Sequence, residues 1–289
     1  MKQNSVLCSF FFLLALIFSQ SCKQNKIQPV PAKTSPKGTL FIIGGGDRND
    51  KLMQRMIDES GWKKGDDVAI MTLSSSDDST YIWENEQFYH LTGQNAIKFD
   101  SAAVYDGKKS DSLQGAKIIF ISGGDQSRFM RLIENSHVKQ IVHDAYFNGA
   151  LVGGTSAGAA VMSEKMITGN QLQDTVYSST FKVIHSNNLE LTEGLDLLDS
   201  VIVDMHFVAR SRYNRLFSAI MEYPRYQCIG IDEATALIVH QDSATVTGAS
   251  EVIVFSNPKK VIKGSHYLMG AKDIDVSVYL PEEKFRIKN

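Results

Sequence analysis

An α/β fold, with a mostly parallel sheet carrying helices on both faces and a strand-rich finish, is what this 289-residue sequence predicts. Three observations carry that expectation. Short apolar runs at 38–43, 68–72, 118–121 and 150–152 have the length of buried strands and are bounded by turn-forming residues. Stretches with helical spacing lie between them, the pattern of parallel strands joined by crossover helices. After Leu237 the spacing shifts to short segments at 244–246, 252–255 and 276–279, so the chain closes on strands.

Taken in order, strand 38–43 runs into Gly44-Gly45-Gly46-Asp47. A dinucleotide fingerprint fails there, because Asn49 occupies the place of the third glycine in G-x-G-x-x-G. Leu52, Met56 and Ile57 set the spacing of a helix over 51–60; 68–72 is a buried strand and 82–91 a helix. Strand 118–121 leads into Ser122-Gly123-Gly124-Asp125-Gln126, and helical segments follow at 129–133 and 138–147, the second stopped by Asn148-Gly149. Strand 150–152 enters the glycine-rich stretch from Gly153 to Gly158, and 159–162 has the character of the first turns of a buried helix. Strand 201–203 leads to Asp204-Met205-His206-Phe207, a helical segment carries Arg210, Arg212 and Arg215, and strand 228–231 leads to Asp232-Glu233. Binding sites in open α/β sheets lie beyond the carboxyl ends of the strands. The three glycine-rich turns after Ile43, Ile121 and Val152 are therefore candidates for a single site.

The first 37 residues stand apart from that pattern. Lys2 supplies a charged start and 10–18 is an unbroken apolar run, too short to be a typical membrane span. It ends in Ser19-Gln20-Ser21-Cys22, which resembles a bacterial lipoprotein signal, with Cys22 as the lipid-bearing residue and Ser19 where that signal usually has leucine. The alternative is an ordinary secretory signal cleaved nearby. Three of the six prolines fall at 29, 31 and 36, among Lys, Gln, Ser and Thr, the composition of a semi-extended tether. The expected organisation is a signal over 1–22, a tether over 23–37 and one domain over 38–289, exported and lipid-anchored at the cell envelope. Cys228 is then the sole cysteine of the domain, which excludes an internal disulfide; packing beside its strand is its expected role. A formal net charge of -2 without a basic tract gives no basis for nucleic-acid binding. No cluster with metal-ligand spacing occurs, and no cofactor is expected.

The chemistry centres on Gly154-Thr155-Ser156-Ala157-Gly158, a G-x-S-x-G between a strand and a helix start, which is the setting of a nucleophile elbow. Its small residues suit a strained turn with chain packed on both sides. A glycine-rich packing turn is the competing explanation. If Ser156 is a nucleophile, the Ala157 N–H at the helix start is a candidate oxyanion-hole donor. The domain offers seven histidines as base: His90, His137, His143, His185, His206, His240 and His266. His206 stands out because it follows an apolar strand and so falls at a strand end, where the elbow also falls. Glu233, at the end of strand 228–231, is the matching orienting carboxylate, with Asp174 and Glu164 as rivals. The chain order Ser, His, Glu differs from that of the α/β-hydrolases. The three arginines are either a solvated helix face or a clamp for substrate carboxylates, with Arg212 and Arg215 on one face at i, i+3.

Four blocks in order resemble one family: Gly123-Gly124-Asp125-Gln126; Gly154 through Ala159; Asp204-x-His206-Phe207-x-x-Arg210-x-Arg212-x-x-Arg215; and Gly230-Ile231-Asp232-Glu233-x-Thr235-Ala236. They are similar to the serine peptidases that include cyanophycinase and the aspartyl dipeptidase peptidase E. The resemblance implies a class I glutamine-amidotransferase-like, flavodoxin-like fold without a cofactor. It implies Ser156 as nucleophile, His206 as base and Glu233 as acid, with the Gly124 and Ala157 amides as oxyanion hole. Gln126, Asp204, Arg210, Arg212 and Arg215 match the family's substrate pocket, Asp204 being suited to a cationic group. The implied substrate is an aspartyl or isoaspartyl peptide, such as the β-Asp-Arg units of a cyanophycin-like polymer, and a homodimer is the implied assembly. Peptidase-E-like dipeptide cleavage and a non-catalytic surface protein that binds acidic peptides are the alternatives. A glutamine-amidotransferase-like enzyme would carry cysteine at the elbow. One position departs from the family: Met205 stands where its motif has Gln, so an amide donor and acceptor are missing from the pocket.

Overall fold

The computed structural model of the protein describes residues 35–173 and 176–288. The leader, Cys22 and Asp174 lie outside the described residues. The chain enters through β1 (Thr39–Ile43), buried at every position as befits a strand covered on both faces. Helix α1 (Asp50–Ser60) follows, started by the Asn49 side chain accepting from the Leu52 N–H and closed by Gly61. Next come β2 (Val68–Met71), α2 (Thr80–Thr92), β3 (Ile97–Phe99), α3 (Gly107–Gly115) and β4 (Ile118–Ile121). Helix α4 (Gln126–Ile133) is capped by the Asp125 carboxylate, and α5 (Val138–Asn148) ends on Gly149. Strand β5 (Leu151–Thr155) then delivers the chain to a single helical turn, α6 (Ala157–Ala160).

Strands β1, β5, β4, β2 and β3 run parallel and side by side. Alternate residues of β1 feed two cores. Phe41 and Ile43 pack with Leu52, Met56 and Ile57 of α1 and Phe88 of α2. Leu40 and Ile42 join the cluster of Phe129, Val142 and Tyr146 from α4 and α5. Helices thus cover both faces of the parallel part.

The second half departs from a single mostly parallel sheet. Strands β6 (Lys165–Gln171) and β7 (Leu189–Glu193) form an antiparallel pair of their own. Strand β8 (Val201–Met205), helix α7 (Tyr213–Glu222) and strand β9 (Gln227–Ile231) follow, then β10 (Thr235–His240), β11 (Ser243–Gly248), β12 (Val252–Ser256), β13 (Lys259–Lys263), β14 (Met269–Lys272), β15 (Asp275–Tyr279) and β16 (Lys284–Arg286). Strand β10 pairs antiparallel with β1, and β11 and β16 extend that edge. With β5 on one side of β1 and β10 on the other, no edge there is open to β8. Strands β8 and β9 instead build a second sheet, in the order β15-β12-β9-β8. One face of it, through Val201, Val203 and Ile229, joins the main core. The other face, through Ile202, Cys228 and Phe255, packs on Leu216, Ala219 and Ile220 of α7. Cys228 is fully buried there, and burial pushes its thiol pKa upward.

Two local expectations are also corrected. The helix after Ser156 is one turn rather than the start of a long helix. The carbonyls of Val161 and Met162, which a longer helix would need, accept from Leu195, Leu197 and Leu198 instead. Helix α7 begins at Tyr213, so Arg210 and Arg212 lie in the turns before it and only Arg215 is helical.

Candidate active site

Ser156 sits where β5 ends, with φ 52° and ψ −109°. A non-glycine residue in such a conformation costs about 1–3 kcal/mol and persists only where its surroundings hold it. Here its N–H donates to the Ile43 carbonyl at 3.0 Å, and its own carbonyl accepts from Ala159 and Ala160, the first bonds of α6. His206 follows β8, also at positive φ, with its N–H on the Gly44 carbonyl at 2.7 Å. Glu233 follows β9, and the next N–H, of Ala234, donates to the Gly45 carbonyl at 2.8 Å. The loop after β1 is therefore the floor on which two chain segments from the second sheet are laid. Gly45, at φ 105°, must be glycine, because a Cβ there would overlap the His206 imidazole. The three glycine-rich turns do share one site, although this one serves as support for side chains rather than as a ligand cradle.

The side chains form an unbroken line. Ser156 Oγ and His206 Nε2 are 2.8 Å apart, and His206 Nδ1 and Glu233 Oε1 are 2.6 Å apart. The geometry assigns Nδ1–H as donor to the carboxylate and leaves Nε2 to accept from the serine hydroxyl. Burial holds the His206 pKa below its ordinary value of 6.5; the Glu233 hydrogen bond works against that, and the charges of Arg210 and Arg212 add to it. The imidazole is thus kept neutral and able to take a proton near neutral pH. Of the rival acids, Glu164 accepts from the Tyr226 hydroxyl at 2.7 Å, on other business. The Ala157 N–H opens α6, and Gly124 follows β4 with φ 135°, its backbone pressed against the Ser74 carbonyl where a Cβ has no room. Among the described residues neither amide has an acceptor within the protein.

A cavity of about 340 Å³ opens beside Ser156, bordered by Gln126, Arg131, Tyr177, Arg210 and Arg212. A larger concavity of about 930 Å³ lies alongside and shares the lining residues Arg131, Thr168 and Asn170 with it. Gln126 spends its amide donors on the Ile167 and Thr168 carbonyls at 3.0 and 2.8 Å, joining α4 to β6 at the rim.

The arginines are not a solvated face. Arg212 and Arg215 are 4% and 2% exposed, and Asp204 is fully buried between them. Arg215 grips both Asp204 oxygens, through Nε at 2.8 Å and through Nη2. Arg212 Nη1 lies 3.5 Å from Asp204 and donates to the Met205 carbonyl at 2.7 Å, with the Met205 sulfur at 3.1 Å. Asp204, expected to meet a substrate cation, instead holds the protein's own two guanidinium groups. Among the described residues Arg212 Nε is buried without a hydrogen-bond partner. Burial and the nearby Arg215 hold the Arg212 pKa down to about 10, with Asp204 opposing them. Arg210 remains half-exposed, its Nε 4.0 Å from Glu233.

Sequence inspection had no signal for Tyr177 or Arg131, an aromatic in a loop and one cation on a polar helix face. Neither pattern is distinctive. It also missed Glu84, a buried carboxylate on α2 behind the Ser122–Asp125 loop.

Comparison with known proteins gives concordant findings. The family model described as Peptidase family S51 matches residues 40–247. A cyanophycinase from Synechococcus elongatus is 36% identical over 230 residues, covering 75% of this chain and 68% of that protein. A cyanophycinase from Trichormus variabilis is 37% identical over 132 residues, 45% of this chain, and the match spans 42% of that relative, less than half its length. Among solved structures, a peptidase from an acI-B1 Actinobacterium aligns with a TM-score of 0.61 at 18% identity, covering 88% of this chain and 99% of that one, a likeness of fold.

Proposed function

The chain belongs to peptidase family S51, and on that premise we propose that it is a serine hydrolase of isoaspartyl peptide bonds, with β-Asp-Arg linkages as the favoured substrate. The observation that carries this is the 2.8 Å and 2.6 Å hydrogen-bonded line from Ser156 through His206 to Glu233, anchored on a strained serine at a strand end. In the proposed mechanism Ser156 Oγ attacks the amide carbonyl carbon while its proton passes to His206 Nε2. Glu233 steadies the imidazolium through Nδ1–H. The oxyanion is held by the Gly124 and Ala157 N–H groups. The carbon–nitrogen bond breaks as His206 returns the proton to the leaving amine. Water, activated by the same imidazole, then cleaves the acyl-enzyme to release the carboxylic acid and free Ser156.

Recognition in this proposal falls to cations. Arg212, which borders the cavity, and half-exposed Arg210 are suited to a substrate carboxylate there. Asp204 and Arg215 serve by fixing Arg212. Met205 contributes no amide, so the carboxylate contact weighs more in this chain. Acting as an exported, lipid-anchored protein, it would meet polymer released by other cells or other isoaspartyl peptides.

The test is release of arginine-containing products from β-Asp-Arg and from cyanophycin by the chain and by its Ser156→Ala variant. Turnover is expected to fall by about 10^6-fold in the variant. Full turnover by Ser156→Ala refutes the mechanism. Cleavage of α-linked aspartyl dipeptides alone moves the substrate to the peptidase-E type. Binding of acidic peptides without any turnover favours the non-catalytic alternative.

A further inference from the structure

Helix α2 is largely solvated and buries only two side chains, Phe88 and Glu84. Phe88 packs on Phe120 in the core. A carboxylate in the other buried position is costly, since removing its charge from water is only partly offset by a partner. Glu84 is 4% exposed, and burial raises its pKa against the opposing effects of Arg48 and Ser122. Its two oxygens go to different loops. Oε1 accepts from Arg48 Nη1 at 3.0 Å, and Oε2 accepts from the Ser122 hydroxyl.

Those two loops are the ones that surround Ser156. Arg48 continues the segment from Gly44 to Asp47 on which His206 and Glu233 rest, and its guanidinium lies 5.5 Å from the Phe120 ring centre. Ser122 opens the turn that carries Gly124. Its carbonyl accepts from the Ser74 hydroxyl at 2.8 Å, and the Ser74 carbonyl accepts from the Asp125 N–H at 2.9 Å. Arg128 braces the same place from α4 by donating to the Ser75 carbonyl at 2.7 Å. The turn that carries Gly124 is thus held at both ends, by Ser74 on the Ser122 carbonyl and the Asp125 N–H, and by Glu84 on the Ser122 hydroxyl.

We infer that Glu84 is a positioning residue: by bonding Arg48 and Ser122 together it keeps the Gly124 amide in register with the Ser156–His206 pair. This rests on the serine-hydrolase function proposed above. A group whose part is to set the oxyanion donor changes the reactivity of Ser156 and leaves substrate binding alone. A misplacement of about 1 Å remote from the reacting atoms costs about 100-fold in rate.

The test is the rate at which a fluorophosphonate labels Ser156 in the full chain, together with kcat and KM on β-Asp-Arg. The variants are Ser122→Ala, Glu84→Leu and Glu84→Gln. Ser122→Ala deletes one hydroxyl and is the variant that tests the clamp if Glu84→Leu does not fold. Glutamine retains an acceptor for Arg48 and offers its NH2 to the Ser122 oxygen, so it is the conservative rescue. Labelling and kcat are expected to fall about 10- to 100-fold in Ser122→Ala and Glu84→Leu, with KM unchanged, and to stay within about threefold of the parent in Glu84→Gln. Labelling of Ser122→Ala at the parent rate, with only its melting temperature lowered, overturns the inference and leaves Glu84 a structural residue. A parent chain that is itself not labelled refutes the serine-hydrolase function, and this inference with it.

Discussion

Substituting Asp204 by alanine would strand two guanidinium groups inside the protein. Arg215 and Arg212 are 2% and 4% exposed, and their shared carboxylate is fully buried. The cluster already carries one positive charge in excess; burial first and then the charge of Arg215 hold the Arg212 pKa down to about 10. Breaking a buried ion pair by removing one partner costs about 3–5 kcal/mol, because the remaining charge is neither hydrated nor paired. That is a large share of the 5–15 kcal/mol or so that holds a domain folded. At about 2–4 °C per kcal/mol for a domain of this size, the expected drop in melting temperature is about 6–20 °C. Thermal unfolding with parallel urea titration measures it. The double variant Asp204→Ala/Arg215→Met is the control. It removes the orphaned Arg215 and replaces the pair by apolar volume, so most of the loss should be recovered. A loss below about 1 kcal/mol in Asp204→Ala, or no recovery in the double variant, would refute the account of Asp204 as the counter-ion of the arginines rather than a substrate contact.

Further outcomes follow from the catalytic line and its floor. The acid limb of kcat/KM should lie below pH 6.5, because burial lowers the His206 pKa and the base must be neutral. Arg210→Gln should move the limb up by removing a charge that lowers that pKa. Glu233→Gln should move it down and cut kcat by about 10^4-fold. The same depressed pKa makes the unfolded chain bind more protons, so stability is complete above about pH 6.5 and falls as pH drops toward the folded value. A limb at or above 6.5 in the parent chain contradicts the environment described for His206. Gly45→Ala should abolish labelling of Ser156 and lower stability by more than about 1 kcal/mol, since it adds a methyl against the imidazole at φ 105°. Retention of activity in that variant would show that the His206 ring is not set by the loop after β1.

What the sequence determined by itself was everything with a local cause. The elbow could be read because a sharp turn between a strand and a helix demands Gly, Ser and Ala at fixed offsets. His206 and Glu233 stood out among their kind because each ends an apolar run, and a strand end is a place in the fold as well as in the chain. The parallel core could be read from short apolar runs spaced by helical segments. Other features depended on what the chain meets far from its own position. The departure of β8 and β9 into a second sheet followed from β10 taking the edge of β1. The one-turn length of α6 followed from the Leu195, Leu197 and Leu198 N–H groups taking the carbonyls of Val161 and Met162, the two residues just after it. Asp204, Arg212 and Arg215 had the composition of a substrate clamp. Only their burial turned all three into a closed ion cluster. Glu84 carried no mark that set it apart from Glu86 on the same helix. Its position against Ser122, 38 residues along the chain, was fixed by the packing of α2 on the sheet. Side-chain pairing is decided by which surfaces the sheet brings face to face, and no local spacing encodes that.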